Sequence, residues 1–241
     1  MSKAISRNYL AIDGVNLANY GVWIDGHQSL GEPEPDVDLI SVPGRNGQLT
    51  IDNGRYSNVT VTYKCGFRKD FLLNLSALKG FLLSNRGYRR LEDTYYNTHF
   101  RKGRYIGGME PTGSQMMKQG YCEISFDCMP HRWLKSGEVA LTYASGSTIF
   151  NPTDFPAKPL LVVTGYGQVV IGDYRIVIAE NANGKTWIDC DIQEAWFGTS
   201  NLNDKITLPD GVFPEIVPGS VPITFGSNIT QVEVTPRWWT L

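Results

Sequence analysis

Two stretches of this chain alternate apolar and polar residues with a period of two, which confines them to strands with one buried face. Val59, Val61, Tyr63, Cys65 and Phe67 alternate with Thr60, Thr62, Lys64 and Gly66, and Cys122, Ile124, Phe126 and Cys128 alternate with Glu123, Ser125 and Asp127. Successive strand side chains point to opposite faces, so each series buries its apolar members together. The cysteines at 65, 122 and 128 then read as small hydrophobes of a core. The four cysteines (65, 122, 128, 190) contain no CxxC spacing, and the histidines at 27, 99 and 131 have no metal-ligand pattern beside them. Neither a disulfide framework nor a metal or other cofactor is expected.

Between these strands the period changes to three and four. Phe71, Leu72, Leu75, Leu78 and Leu82 recur at helical steps, Asp70 stands where an N-cap belongs, and Gly87 is placed to close the end. The apolar stripe of this one helix is expected to lie on a sheet. Gly80, in its middle, marks either a close approach to a strand or a weak spot.

After His131 the composition shifts. Lys135 to Pro159 carries Ser, Gly and the prolines 152, 156 and 159 around short apolar runs, and the chain is divided here into domains 1–138 and 139–241. Strand candidates follow at Leu160 to Thr164, Gln168 to Ile171, Tyr174 to Ala179, Lys185 to Cys190, Thr207 to Leu208, Val221 to Phe225 and Gln231 to Thr235. Asn183-Gly184 reads as a hairpin turn joining the strands at 174 and 185. Short, regularly spaced strands with no helix between them predict a β-sandwich.

The charge pattern narrows the function. With 22 basic against 24 acidic residues and a formal net charge of -2, the molecule has no overall bias toward nucleic acid or anionic membrane. The first residues lack an apolar run of signal-peptide length, so folding in a cytoplasm is expected, and stretches such as Leu160 to Val163 are too short to span a bilayer. No GxSxG, P-loop, GxGxxG or HExxH occurs. Asp189, Asp191 and Glu194 are the nearest thing to paired carboxylates. Alternation with Ile188, Cys190 and Ile192 puts Asp189 and Asp191 on one face as a solvent-facing acidic row, so no enzyme is expected.

Two segments read as contact surface. Gly31 to Gly54 begins with acids at 32, 34, 36 and 38 and is rich in turn formers, which suggests a long projecting loop or hairpin. Pro43-Gly44 and Asn46-Gly47 would display Arg45 and Asn46 at its tip. Gly87 to Tyr105 concentrates Tyr88, Tyr95, Tyr96, Phe100 and Tyr105 with Arg89, Arg90, Arg101, Lys102 and Arg104. Tyrosine and arginine are enriched where proteins meet, and an ordinary twisted hairpin with arginine stems over a core edge accounts for the same residues. Interleaved aromatics also invite a nucleic-acid reading, but Glu92 and Asp93 interrupt the basic run, and contact between copies is the more economical pairing. Trp187 and Trp196 could stack on sugar faces, or equally pack within a sandwich.

Taken in order, SVPGRNG (41 to 47), GYRRLEDTYY (87 to 96), CMPHRWLKSGE (128 to 138), NPTDFPAKPLLVV (151 to 163), IDCDIQEAW (188 to 196), FPEIVPG (213 to 219) and VEVTPRWW (232 to 239) resemble the distal tail protein family of long-tailed, non-contractile bacteriophages. The resemblance implies a mainly β chain. An N-terminal β-sandwich or split barrel, tail-tube-like and flanked by one α-helix, would precede a C-terminal galectin-like β-sandwich. It also implies a virion structural protein forming a six-fold ring at the tail tip, made in the host bacterial cytoplasm. Its expected partners are further copies of itself, the tail-tube protein, the tape-measure protein and a tail-associated lysin or receptor-binding tip protein. The expected copy-to-copy contacts are Arg45, Asn46, Arg89, Arg90, Tyr95, Tyr96, Arg101 and Arg104. The alternative is a carbohydrate-binding host-adhesion module using Trp187 or Trp196. Some relatives carry inserted carbohydrate-binding modules, for which the roughly 100 residues of the outer domain leave little space.

Overall fold

The two alternating stretches pair with each other. In the computed structural model, which describes residues 8–28, 31–114 and 119–241, the strands Val59–Phe67 and Gln119–Leu134 run antiparallel with Cys65 opposite Cys122, Tyr63 opposite Ile124 and Val61 opposite Phe126. This register places every apolar member of both series on one face. It merges them into a core with Leu10, Ile12, Val22, Ile24 and Leu91. The sheet runs in the order Val15–Asn16, Leu10–Ile12, Arg89–Asp93, His99–Tyr105, Gln119–Leu134, Val59–Phe67, Val22–Gln28. Its curled face is closed by the one α-helix among the described residues, Phe71–Leu83.

The helix buries Phe71, Leu75, Leu78 and Leu82, whereas Leu72, Leu73 and Leu83 face out. Its ends differ from the sequence expectation. Asp70 holds the N-cap position in a left-handed conformation and its side chain caps nothing. The helix stops at Leu83, before Gly87 is reached, with the Ser84 hydroxyl donating to the Phe81 carbonyl. The close helix-to-strand approach is at Gly120, where a Cβ would lie 2.3 Å from the Phe71 ring, while a Cβ at Gly80 would meet nothing within 4 Å. Gly80→Ala is therefore expected to stabilise the helix by about 1 kcal/mol, from backbone entropy alone. Urea unfolding of the two proteins checks this.

The chain divides into two compact units, one covering Met1–Arg132 together with Leu241, the other Trp133–Thr240. The 3-10 turn Lys135–Glu138 is hydrogen-bonded within the second, where Arg237 N–H donates to the Gly137 carbonyl. The second unit is a β-sandwich. One sheet runs Leu141–Tyr143, Ile229–Thr235, Leu160–Gly165, Lys185–Asp189, Glu194–Phe197, Ser200–Asn201, and the other Ser147–Asn151, Gly219–Phe225, Gly167–Ile171, Tyr174–Ile178, Ile206–Thr207. Ile171, Ile176, Val221 and Ile223 of one sheet share a core with Leu161, Val163, Ile188 and Val232 of the other. The terminal segment closes this sandwich: the strand Ile229–Thr235 sits inside its sheet, and Trp238 is buried in the core.

Two expectations for this unit fail. The strands flanking Asn183-Gly184 do not form a hairpin. Tyr174–Ile178 pairs with Gly167–Ile171, and Lys185–Asp189 pairs with Leu160–Gly165 in the opposite sheet. The turn is present, with Gly184 N–H donating to the Asn181 carbonyl, but it carries the chain across the sandwich. The acidic row also fails, because alternation stops where the strand ends at Asp189 and the following residues turn. Asp189 is buried and clasped by both Nη atoms of Arg237 at 2.7 Å, while Ile192 points outward.

Candidate interaction surface

The acidic, turn-rich segment folds as a two-stranded ribbon, Pro35–Ser41 paired with Gln48–Tyr56, and belongs to no larger sheet. The tip turn is closed by Arg45 N–H donating to the Val42 carbonyl, with Gly44 at φ 80° and Gly47 at φ 83°, a backbone that glycine adopts without strain. Arg45 and Asn46 sit exposed there. Val37 opposite Asp52 and Leu39 opposite Thr50 lie on one face of the ribbon, and Asp38 opposite Ile51 and Ile40 opposite Leu49 lie on the other. Both faces therefore carry bare apolar side chains, with Leu39 at 57% and Ile51 at 45% exposure. Near the base the acids are held internally. Asn53 bridges Asp36 and Asp38, and Arg55 pairs with Asp36 and holds its carboxyl below the usual carboxylate range.

The basic and aromatic segment is a hairpin, with Arg89 opposite Gly103 and Leu91 opposite Arg101. Many of its charges are used within the chain. Arg89 is buried; its Nε donates to Asp13 at 2.6 Å, its Nη1 donates to the Phe81 carbonyl, and its guanidinium lies 4.2 Å from the Phe81 ring centre. Arg90 pairs with Glu92 and lies 3.7 Å over the Phe100 ring. Arg104, half exposed, pairs with Asp127 at 2.8 Å. Tyr95 donates its hydroxyl to the Asp25 carbonyl, and burial raises its pKa. Tyr96 packs under the Arg132 guanidinium and edge-on to His99.

Arg101 is buried beside a small cavity lined by Leu91, Asp93, Tyr96, His99, Phe100 and Arg132. The structure thus brings Tyr96 and Arg101 together and places Arg45 and Asn46 on a different element. Arg132 was not picked out from the sequence, nor were Leu39, Ile40 and Ile51. The adjacent pair Leu39-Ile40 was the available signal, since neighbouring apolar residues on a strand face opposite ways.

Trp187 and Trp196 are direct cross-strand partners. The Trp187 ring is flanked by Phe197 at 5.5 Å and by the Lys185 ammonium at 5.1 Å. A separate open depression is lined by Gln193, Asn203, Ile206, Thr207, Leu208 and Phe213. All four cysteines are free and buried, and burial pushes Cys128 up to about 12 and Cys190 higher still. No reaction of the native protein with a thiol reagent at pH 8 is expected, and four reactive thiols once it is unfolded, read by absorbance. Among the described residues no cluster of three or more His, Cys, Asp or Glu could hold a metal ion, and no helix is long and apolar enough to cross a membrane.

No family model matches the sequence, and no curated protein matches it. Solved structures do. The chain is similar to the crystal structure of the SPP1 Dit protein, described as a paradigm of the hub adsorption apparatus in phages infecting Gram-positive hosts. The TM-score is 0.73 at 12% identity, over 97% of this chain and 99% of that one. It is also similar to a chain of the phage p2 baseplate in its activated conformation with Sr, with a TM-score of 0.51 at 13% identity over 95% and 96% of the two chains. The calcium form of that baseplate gives a TM-score of 0.50 at 12% identity, over 95% and 97%. The fold is the one that the ordered sequence motifs led us to expect, that of a siphophage distal tail protein.

Proposed function

We propose that this chain is a structural hub protein of a long, non-contractile phage tail. Copies assemble head to tail into a closed ring of six at the distal end of the tail tube, joining the tube to the host-recognition apparatus. The observation that carries this reading is the ribbon of residues 35–56. A lone two-stranded ribbon is marginally stable in water, and one that bares isoleucine and leucine on both faces has them in place to be covered. A neighbouring copy is the occupant that a fold shared with hub and baseplate proteins favours. A head-to-tail contact with a rotation that closes yields a ring.

The ring would seat on the tail-tube protein, enclose the path of the tape-measure protein and DNA, and carry a lysin or receptor-binding tip. Arg45 and Asn46, exposed at the ribbon tip, make part of the copy-to-copy contact. Arg89, turned inward onto Asp13, serves the fold of its own copy. Negative-stain microscopy of the purified full chain tests the proposal. Closed six-fold rings are expected; dispersed single copies at every concentration tried would refute it. A sugar-binding role for Trp187 has less support, because Lys185 and Phe197 flank its ring.

A further inference from the structure

We propose that Arg101 and Arg132 form a binding site for a carboxylate, which presents one of its oxygens to the cavity the two side chains line. Arg101 is more than nine-tenths buried, and its Nη1 has no hydrogen-bond partner among the described residues. The same is true of the buried Nε of Arg132. Both side chains line the cavity beside His99, and its free space, about 10 Å³ for the centre of a water-sized group, takes a single oxygen atom.

The nearest carboxylate does not serve them. Asp93 Oδ2 accepts the Tyr63 hydroxyl at 2.7 Å, and its Oδ1 accepts the backbone N–H groups of Tyr95 and Tyr96 at 2.9 and 3.0 Å. Asp93 acts on Arg101 through its charge and leaves the Arg101 Nη1 without a hydrogen bond. The other titratable groups acting on Arg101 are Tyr63 and Cys128, both held neutral by burial.

Two guanidiniums therefore face one carboxylate whose acceptor sites are largely committed. The imbalance is felt locally: burial, then Arg132, then Arg101, all lower the pKa of His99, and burial followed by Arg132 lowers that of Arg101. A water molecule would accept the two N–H groups and leave both charges unneutralised. An anion accepts them and neutralises one charge, and charge-assisted hydrogen bonds are about twice as strong as neutral ones. Two guanidinium donors lining one cavity recognise a carboxylate, as free acetate or as an acidic side chain offered by a neighbouring protein.

The test follows the His99 ring C–H by NMR in the full chain, assigned with His99→Gln, as acetate replaces sulfate at constant ionic strength. Sulfate is the shape control, a tetrahedral dianion in place of a planar carboxylate. A saturating shift of His99 is expected, with its titration midpoint raised by about 0.5–1 pH unit once the site is filled. Arg132→Gln, which removes the less buried guanidinium, is expected to abolish both effects while keeping wild-type chemical-shift dispersion. Arg101→Gln is a second variant that need not fold for the result to stand. No saturable response in the wild type, or the same response in Arg132→Gln, would overturn the proposal. Repeating the titration on assembled protein separates the sources. Binding that persists identifies a free anion, and binding lost only on assembly identifies a neighbour's carboxylate.

Discussion

Replacing both Ile40 and Ile51 with glutamate is expected to leave a folded chain that no longer assembles. The two side chains lie on one face of the ribbon, are 43% and 45% exposed, and belong to neither hydrophobic core. Exposed substitutions of this kind usually change stability by within about 0.5 kcal/mol, so the melting temperature should hardly move. At an interface the same change removes two buried aliphatic side chains and forces two carboxylates to be desolvated. Counting only the lost apolar burial, each copy-to-copy contact weakens by about 4 kcal/mol, roughly a thousandfold. Closure multiplies the loss, since every contact in a ring carries it. Native mass spectrometry at matched concentration is expected to show single copies for the variant and rings for the wild type. Deleting Pro43 to Gly47 should act in the same direction by removing the tip with Arg45 and Asn46. A variant that still assembled would separate ribbon from ring.

The second large effect lies in the other unit. Asp189→Ala is expected to destabilise the sandwich by about 2–4 kcal/mol in urea, because four hydrogen bonds end on that carboxylate. Two come from Arg237 at 2.7 Å, and two from the backbone N–H groups of Asp191 at 2.9 Å and Ile192 at 3.3 Å. Arg237 is partly exposed, with 31% of its side-chain surface accessible, which holds the estimate below that of a fully buried pair.

Burial raises the pKa of Asp189, but Arg237 and the two N–H groups outweigh it, so the folded value lies below the ordinary 3.8. A carboxyl depressed in the folded state stabilises fully above its unfolded value and stops doing so as pH falls through the folded one. The gap between wild type and Asp189→Ala is thus expected to be constant near neutrality and to narrow below about pH 4. A gap independent of pH down to 2 would remove the charge from the explanation.

What the sequence made legible was local. Period two at 59–67 and 122–128 established the strands, their buried faces and the placement of Cys65, Cys122 and Cys128. Leucine spacing located the helix, because each of these patterns needs only near neighbours in the chain. Pairing was not local. Asn183-Gly184 fixes a reversal, but which sheet receives the next strand depends on Leu160–Gly165, some twenty residues earlier. Asp189 was read as solvent-facing because alternation was carried past the end of its strand; its partner stands 48 residues away in sequence.

The arginines of the contact segment show the same limit. Composition identified Arg89 as a surface residue, yet Asp13 draws it inward across 76 positions. Arg101 points into the cavity it shares with Arg132, which lies on another strand. The ribbon was anticipated as a projection from its turn residues. Its two-sided apolar character could also have been read from the adjacent Leu39 and Ile40.

Hydrogen exchange through residues 35–56 tests the central claim most directly. In single copies, represented by the Ile40→Glu, Ile51→Glu variant, a lone ribbon opens easily and its amides should exchange fast. In assembled wild-type protein the same amides are expected to slow by at least about tenfold, while the strand amides of the cores at 59–67 and 160–165 are unchanged. Rings whose ribbon amides exchange as fast as those of single copies would contradict the account, because copies would then be joined by some other surface.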